Sequence, residues 1–314
     1  MKSRNFIFLT GGLGNQLFQI SAALSAQETI ICPNPFNGRL NSAGNLDIED
    51  LHIGSSVQIK KNPPLGYFSL KVINFTLRFF GSQSADEPKK LKNVIVRSVA
   101  SIVLSLKFKK TIFVEANLGL GYDPHALEEK IRQTFHIGYF QTYKTLGKPE
   151  VLTTLRNICL KDGSESLQEF TALSIVEKPL VVHVRLGDYL EADKFGILPA
   201  DYYSKAINEA FQNGDYNRIW LFSDGPIQAL SRIPEQFQPI VRVIPDLEGS
   251  TSLTFEVMRL GDGFVIANST FSWWAAAISR NRYAPVYCPD KWFKEIESPR
   301  DLIPPHWQRI ASWT

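Results

Sequence analysis

A chain of 314 residues has room for two domains of ordinary size, and its 44% hydrophobic content is that of a soluble globular protein, which argues against disorder. The net charge of +3 is too small for this length to mark a general nucleic-acid binder, so any basic function is local. Cys32, Cys159 and Cys288 are far apart and form no CxxC pair, which argues against a disulfide framework or a zinc site and fits a reducing compartment.

The N-terminus, MKSRNFIFLTGG, has only four apolar residues before its glycines, too few for a signal-peptide core or a membrane span. Phe6–Leu9 predicts a strand, TGGLGNQ a glycine turn, and LFQISAALSAQ a helix whose apolar face carries Leu17, Ile20, Ala23 and Leu24. Strand, glycine turn and helix open a βαβ unit, in which glycines admit a ligand close to the backbone and the helix N-terminus offers free N–H groups. A dinucleotide fingerprint would need a third glycine where this chain has Leu17, so Gly12 and Gly14 give a nicotinamide site little support.

From Cys32 to Gly66 the abundance of Asn, Pro, Gly and Ser predicts irregular structure around short strands. The longest apolar stretch, NVIVRSVASIVLSL at 93–106, is broken by Arg97 and is too short to span a membrane. Lys89, Lys90 and Lys92 precede it and Lys107, Lys109 and Lys110 follow it. Two readings stay open: a segment lying on an anionic membrane surface, or a core helix with solvated ends. His136–Gln141 predicts a strand and Glu150–Leu160 a helix. The polar KDGSES at Lys161–Ser166 is the expected linker between an N-terminal domain, 1–165, and a C-terminal domain, 166–314, whose last helix is expected to pack back on the first.

In the second half, strands and helices alternate. Predicted strands lie at 180–184, 218–222, 241–244 and 263–267, with helices at 200–213, 226–232 and 252–260, a pattern that implies a parallel sheet covered by helices on both faces. Each strand ends in polar residues, as the ligand-binding edge of an open α/β sheet requires. VVHVRLGDY at 181–189 delivers His183, Arg185 and Asp188 to that edge. A guanidinium is costly to bury there unless an anion meets it, and either a salt bridge to Asp188 or a bound phosphate would serve. A second strand end offers Ser223 and Asp224, and a third offers Asn268, Ser269, Thr270 and Ser272 just before an alanine-rich helix. Alone, Ser269–Ser272 reads as a cap; beside an arginine it reads as a diphosphate cradle without a P-loop lysine.

GGLGNQLFQ at 11–19, GYFQTYK at 138–144, HVRLGDY at 183–189, FSDG at 222–225, NSTFSWWAA at 268–276 and PDKWF at 289–293 together resemble the α-1,2-fucosyltransferases of glycosyltransferase family 11, bacterial type, in order along nearly the whole chain. The resemblance implies an α/β, GT-B-like fold of two facing Rossmann-like domains with the site in the cleft. It also implies inverting transfer of L-fucose from GDP-β-L-fucose to O2 of a terminal β-galactoside, with no cofactor and no metal. Arg185 matches the family's diphosphate-binding arginine. The chain contains no Asp-x-Asp tripeptide to hold a metal, so an arginine is expected to stabilise the leaving GDP.

On this reading Ser269, Thr270 and Ser272 complete the cradle, His183 and Asp224 read guanine, and Gly12, Gly14, Asn15 and Gln16 close over fucose and phosphate, with Asn15 and Gln16 bonding sugar hydroxyls. Inversion needs a base for the acceptor hydroxyl. Asp188 is the motif's own candidate, equally suited to orienting Arg185, and Glu191 and Asp193 follow in a loop. Leu186 replaces a second arginine common in the family, FSDG replaces FSDD, and TFEVM at 254–258 replaces D-L-x-L-M. The rivals are a transferase of another GDP-deoxy-sugar such as GDP-colitose, and a non-catalytic nucleotide-sugar or glycan-binding protein, which retention of Arg185 and the glycine turn disfavours. The expected partners are GDP-fucose and a galactoside-terminated or lipid-linked glycan, with no nucleic acid. The expected location is cytoplasmic, at the inner face of the plasma membrane through 89–110.

Overall fold

A computed structural model describes residues 5–26, 29–38, 46–54, 98–99, 101–103, 105, 112–117, 133–187, 195–299 and 301–313. The chain divides into two units, the first comprising 1–49, 53–158 and 299–303 and the second 50–52, 159–298 and 304–314.

The first unit is built on strands β1 (Asn5–Gly11), β2 (Thr29–Gly38), β3 (Ile112–Asn117) and β4 (Gln133–Gly138), all parallel, in the order β2-β1-β4-β3. Helix α1 (Leu13–Ser25) follows β1, and α2 (Pro149–Arg156) follows β4, with Pro149 in its first turn, where no N–H is needed. Phe6, Ile7, Phe8 and Leu9 are all buried, which is why this four-residue run makes a strand. Two expectations are corrected here. α1 begins at Leu13, so Gly14, Asn15 and Gln16 belong to its first turn and the glycine turn is only Gly11 and Gly12. The Pro- and Asn-rich stretch after Thr29 is a strand, because β2 lies at a sheet edge, where a proline's missing N–H breaks no ladder.

The second unit opens on a two-residue ribbon, Leu51–His52 antiparallel to Cys159–Leu160. The stretch expected as a linker is built into it: Lys161 N–H donates to Asp50 O, and Ser164 Oγ caps helix α3 (Glu165–Glu177) by accepting from Leu167 N–H. Then follow β5 (Pro179–Val184), α4 (Ala200–Asn213), β6 (Arg218–Ser223), α5 (Pro226–Leu230) and β7 (Val241–Val243). α6 (Thr251–Met258), β8 (Gly263–Val265), α7 (Thr270–Ala277), β9 (Val286–Pro289) and β10 (Gln308–Ile310) complete it. The six parallel strands run in the order β10-β9-β8-β5-β6-β7, with Val182 opposite Leu221 on one side and Val265 on the other. Leu180–Val184 is apolar apart from His183 and wholly buried, as a strand covered on both faces must be.

The α/β class and the pair of parallel-sheet units agree with expectation. After α7 the described residues contain no helix. The late segment grouped with the first unit is a turn, where Tyr143 N–H donates to Asp301 O and Lys144 pairs with Asp301 at 2.7 Å. Of the 93–106 stretch, the described residues are helical, with Val99 and Ile102 exposed at 53% and 59%, so these two are not core residues. Among the described residues no helix is long and apolar enough to cross a membrane.

Candidate active site

In the second unit the strand order reverses at β5: β6 and β7 lie to one side and β8 returns on the other. Such a switch point opens a crevice at the C-terminal strand ends. Arg185 leaves β5 there and Asn268–Ser272 leaves β8. Arg185 is about one-quarter exposed, and its Nη1 lies 2.9 Å from Asp224 Oδ2 at the end of β6. The other oxygen, Asp224 Oδ1, accepts the Leu186 N–H at 2.8 Å. Among the described residues, the carboxylate paired with Arg185 is Asp224, for which the expectation is a guanine contact. Asp188, Glu191 and Asp193 lie outside the described residues.

His183 is buried one residue before the end of β5, with its ring 6.3 Å from that of Phe271 and its Nδ1 without a partner among the described residues. Burial, reinforced by the Arg185 charge and opposed by Asp224, pushes its pKa down to about 3, so the imidazole is neutral at physiological pH. A neutral imidazole both donates and accepts, as a base-recognising group needs to.

The β8 end separates into parts. Ser269 caps α7, its Oγ accepting from Phe271 N–H at 3.4 Å, and Ser272 is fully buried with its hydroxyl on Ser269 O. Asn268 is buried too, and its Nδ2 donates to Phe195 O and Gly196 O. Asn268 and Ser272 thus both bond the local backbone, at positions where the expectation is a diphosphate cradle. Thr270 is the half-buried hydroxyl at the start of α7. The N-terminus of this eight-residue helix faces the same strand edge as Arg185.

The first unit shows a matching switch point between β1 and β4. Gly11 has φ +74°, and a Cβ on it would lie 2.7 Å from Asn15 Nδ2, so glycine is required there twice over. Gln16 is fully buried, its Nε2 donating to Gly11 O and its Oε1 accepting from Ile48 N–H; it fastens the turn, where the sequence expectation had it bonding sugar. Gln19 does similar work on Thr10 and Gly138. Asn15 stays half-buried, and its Oδ1 accepts from Gln141 Nε2 at 3.1 Å.

Sequence reasoning missed Gln141 and Tyr203. Gln141 follows the β4 end inside the quoted GYFQTYK, next to Phe140, whose φ of +51° is strained for a bulky residue. A polar residue directly after a strand was the available signal. Tyr203 lies on α4 with its hydroxyl against the Arg185 backbone, and no local pattern announces that contact. Two departures from the family pattern adjoin: a Cβ on Gly225 would lie 3.0 Å from Leu186 Cδ1, so Leu186 fills the space beside the missing acid.

The sequence profile of glycosyl transferase family 11 matches residues 125–311. The α-1,2-colitosyltransferase of Escherichia coli is 26% identical over 96% of this chain and 97% of that protein. The O-antigen biosynthesis glycosyltransferase WbnK of Escherichia coli is 36% identical over a shorter stretch, 36% of this chain and 38% of that protein. Among solved structures, the NodZ α-1,6-fucosyltransferase soaked with GDP-fucose, a protein known from Bradyrhizobium, shares the fold at a TM-score of 0.50 with 15% identity, covering 95% of this chain and all of that one. With the family profile matched across more than half its length, the chain belongs to glycosyl transferase family 11.

Proposed function

We propose that the protein moves L-fucose from GDP-β-L-fucose to O2 of a terminal β-galactoside, with inversion, in the synthesis of O-antigen or a related surface glycan. The observation that carries this is Arg185, held by Asp224 at the end of the central strand beside the N-terminus of α7. Departure of GDP places growing negative charge on the β-phosphate, and a positioned guanidinium with helix N–H groups stabilises such charge by several kcal/mol, about the effect of one oxyanion-hole donor. Thr270 and the Ser269 cap lie at that helix end, and neutral His183 suits an edge of the guanine. In the first unit, Asn15 with Gly12 and Gly14 offers donors to sugar hydroxyls. The base belongs to Asp188 or Asp193.

The O-antigen biosynthesis named for the WbnK relative of Escherichia coli supports the setting, and a cytoplasmic location at the inner membrane face through 89–110 is part of the proposal. So is metal independence, which rests on the missing Asp-x-Asp tripeptide.

The test is to incubate the protein with GDP-fucose and lactose or Gal-β-1,3-GalNAc in EDTA, following GDP release and the fucosylated product. Turnover with product inverted at the anomeric carbon is expected. Failure with every galactoside refutes the reading, and loss of turnover in EDTA refutes the metal-free mechanism. A second reading, transfer from GDP-colitose, is favoured by the nearly full-length likeness to the colitosyltransferase. Colitose is fucose without its 3-hydroxyl. A pocket that bonds this hydroxyl rejects colitose by about 10⁴ or more, whereas an apolar pocket rejects fucose by only about 10². The ratio of kcat/KM for the two donors therefore decides between them.

A further inference from the structure

We infer that Asp224 is the positioning residue of Arg185: it holds the arginine turn in the one geometry that presents the guanidinium to a diphosphate. The inference rests on the GDP-sugar reading above. Arg185–Gly187 lies beyond the last residue of β5. Among the described residues Asp224 grips side chain and backbone together, Oδ2 on Arg185 Nη1 at 2.9 Å and Oδ1 on Leu186 N–H at 2.8 Å. The Tyr203 side chain adds a hydrogen bond to the Arg185 backbone. The loop carrying Asp224 is itself tied, Ser223 Oγ accepting the Gly225 N–H at 3.0 Å. Gly187 is part of the device, since a Cβ there would lie 2.4 Å from Asp224 Oδ2.

A pair exposed by about one-quarter on each side contributes little to folding. Its value lies in ordering a flexible arginine before the ligand arrives, which removes an entropic cost from binding. The carboxylate carries a price, because it sets a negative charge near a dianionic ligand. That opposition gives the inference a sign. If net charge alone governed the site, Asp224→Asn would bind GDP more tightly; if orientation governs, it binds more weakly.

GDP affinity is measured by calorimetric titration for the wild type, Asp224→Asn, Arg185→Lys and the double variant. Asp224→Asn is expected to weaken GDP about tenfold, within the range seen for directly contacting residues, and to have no further effect in the Arg185→Lys background. Unchanged or tighter binding overturns the inference. So does an equal loss in both backgrounds, which would return Asp224 to reading guanine. Should Asp224→Asn fail to fold, Gly187→Ala displaces the same carboxylate and is read the same way. A wild-type chain that binds no GDP would instead remove the reading on which the inference rests.

Discussion

Replacing Glu256 by alanine is a sharp test of how the second unit holds α7, and with it the strand edge, in place. Glu256 is fully buried on α6, and its carboxylate meets Arg259, which is 1% exposed, and Arg280 at 2.5 Å, which is 45% exposed. Arg259 Nε donates to Ile278 O just past α7, and Ser279 Oγ donates to Arg259 O, so the buried pair pins the end of α7 to α6. Breaking a buried ion pair by removing one partner costs roughly 3–5 kcal/mol, because the other charge is left in an apolar surround. Arg259 keeps its bond to Ile278, so Glu256→Ala is expected at the low end, about 3 kcal/mol. For a unit of this size that lowers the thermal midpoint by about 6–12 °C. Arg280→Ala, at a half-exposed position, is expected to cost about 1 kcal/mol or less.

The assay is tryptophan fluorescence during heating, which reports the second unit alone, because Trp220, Trp273, Trp274, Trp292, Trp307 and Trp313 all belong to it. A shift below about 2 °C for Glu256→Ala, or equal shifts for the two variants, would refute the assignment of the cost to the buried Arg259. The pair also explains the TFEVM departure. The acid missing from its first position has a counterpart two residues on, and Glu256 there is structural.

Three further outcomes follow from the same geometry. Arg185→Lys keeps the charge but loses the planar fork, so transfer should fall by about 10²–10³ with the melting curve unchanged, and near-wild-type turnover would overturn the phosphate role. Leu186→Arg forces a charge into a buried site and should destabilise by about 3 kcal/mol, with Gly225→Asp beside it restoring part; additive losses in denaturant titrations would show that the two positions do not couple. His183 has a folded pKa depressed to about 3 against an ordinary value near 6.5, so the unfolded chain binds the extra proton. Its contribution is complete above the unfolded value and is lost as pH falls below it. Between pH 6.5 and 5.5, where carboxylates scarcely titrate, stability should drop by up to about 1.4 kcal/mol per pH unit, and His183→Asn should flatten that slope. An unchanged slope in the variant would place the imidazole in water.

The alternation of apolar runs and helical faces by itself determined the α/β class and most elements of the second unit, including α4, whose 200–213 bounds agree with the structure. It could do so because a strand covered on both faces has to be apolar throughout, and Leu180–Val184 nearly is. The motifs likewise marked the strand ends carrying Arg185, Asp224 and Ser269. What they left undetermined was which polar groups are engaged by their own fold. Asn15 and Gln16 are adjacent amides in one motif, yet Gln16 is buried on two backbone groups and Asn15 is not, because one helical turn faces them differently. Asp224 reads from sequence as a ligand contact, and only the parallel pairing of β5 with β6, across thirty-odd residues of chain, brings it to Arg185. Local pattern determines which side chains reach an edge; tertiary pairing decides which partner each of them meets, because hydrogen-bond partners distant in sequence leave no trace in local periodicity.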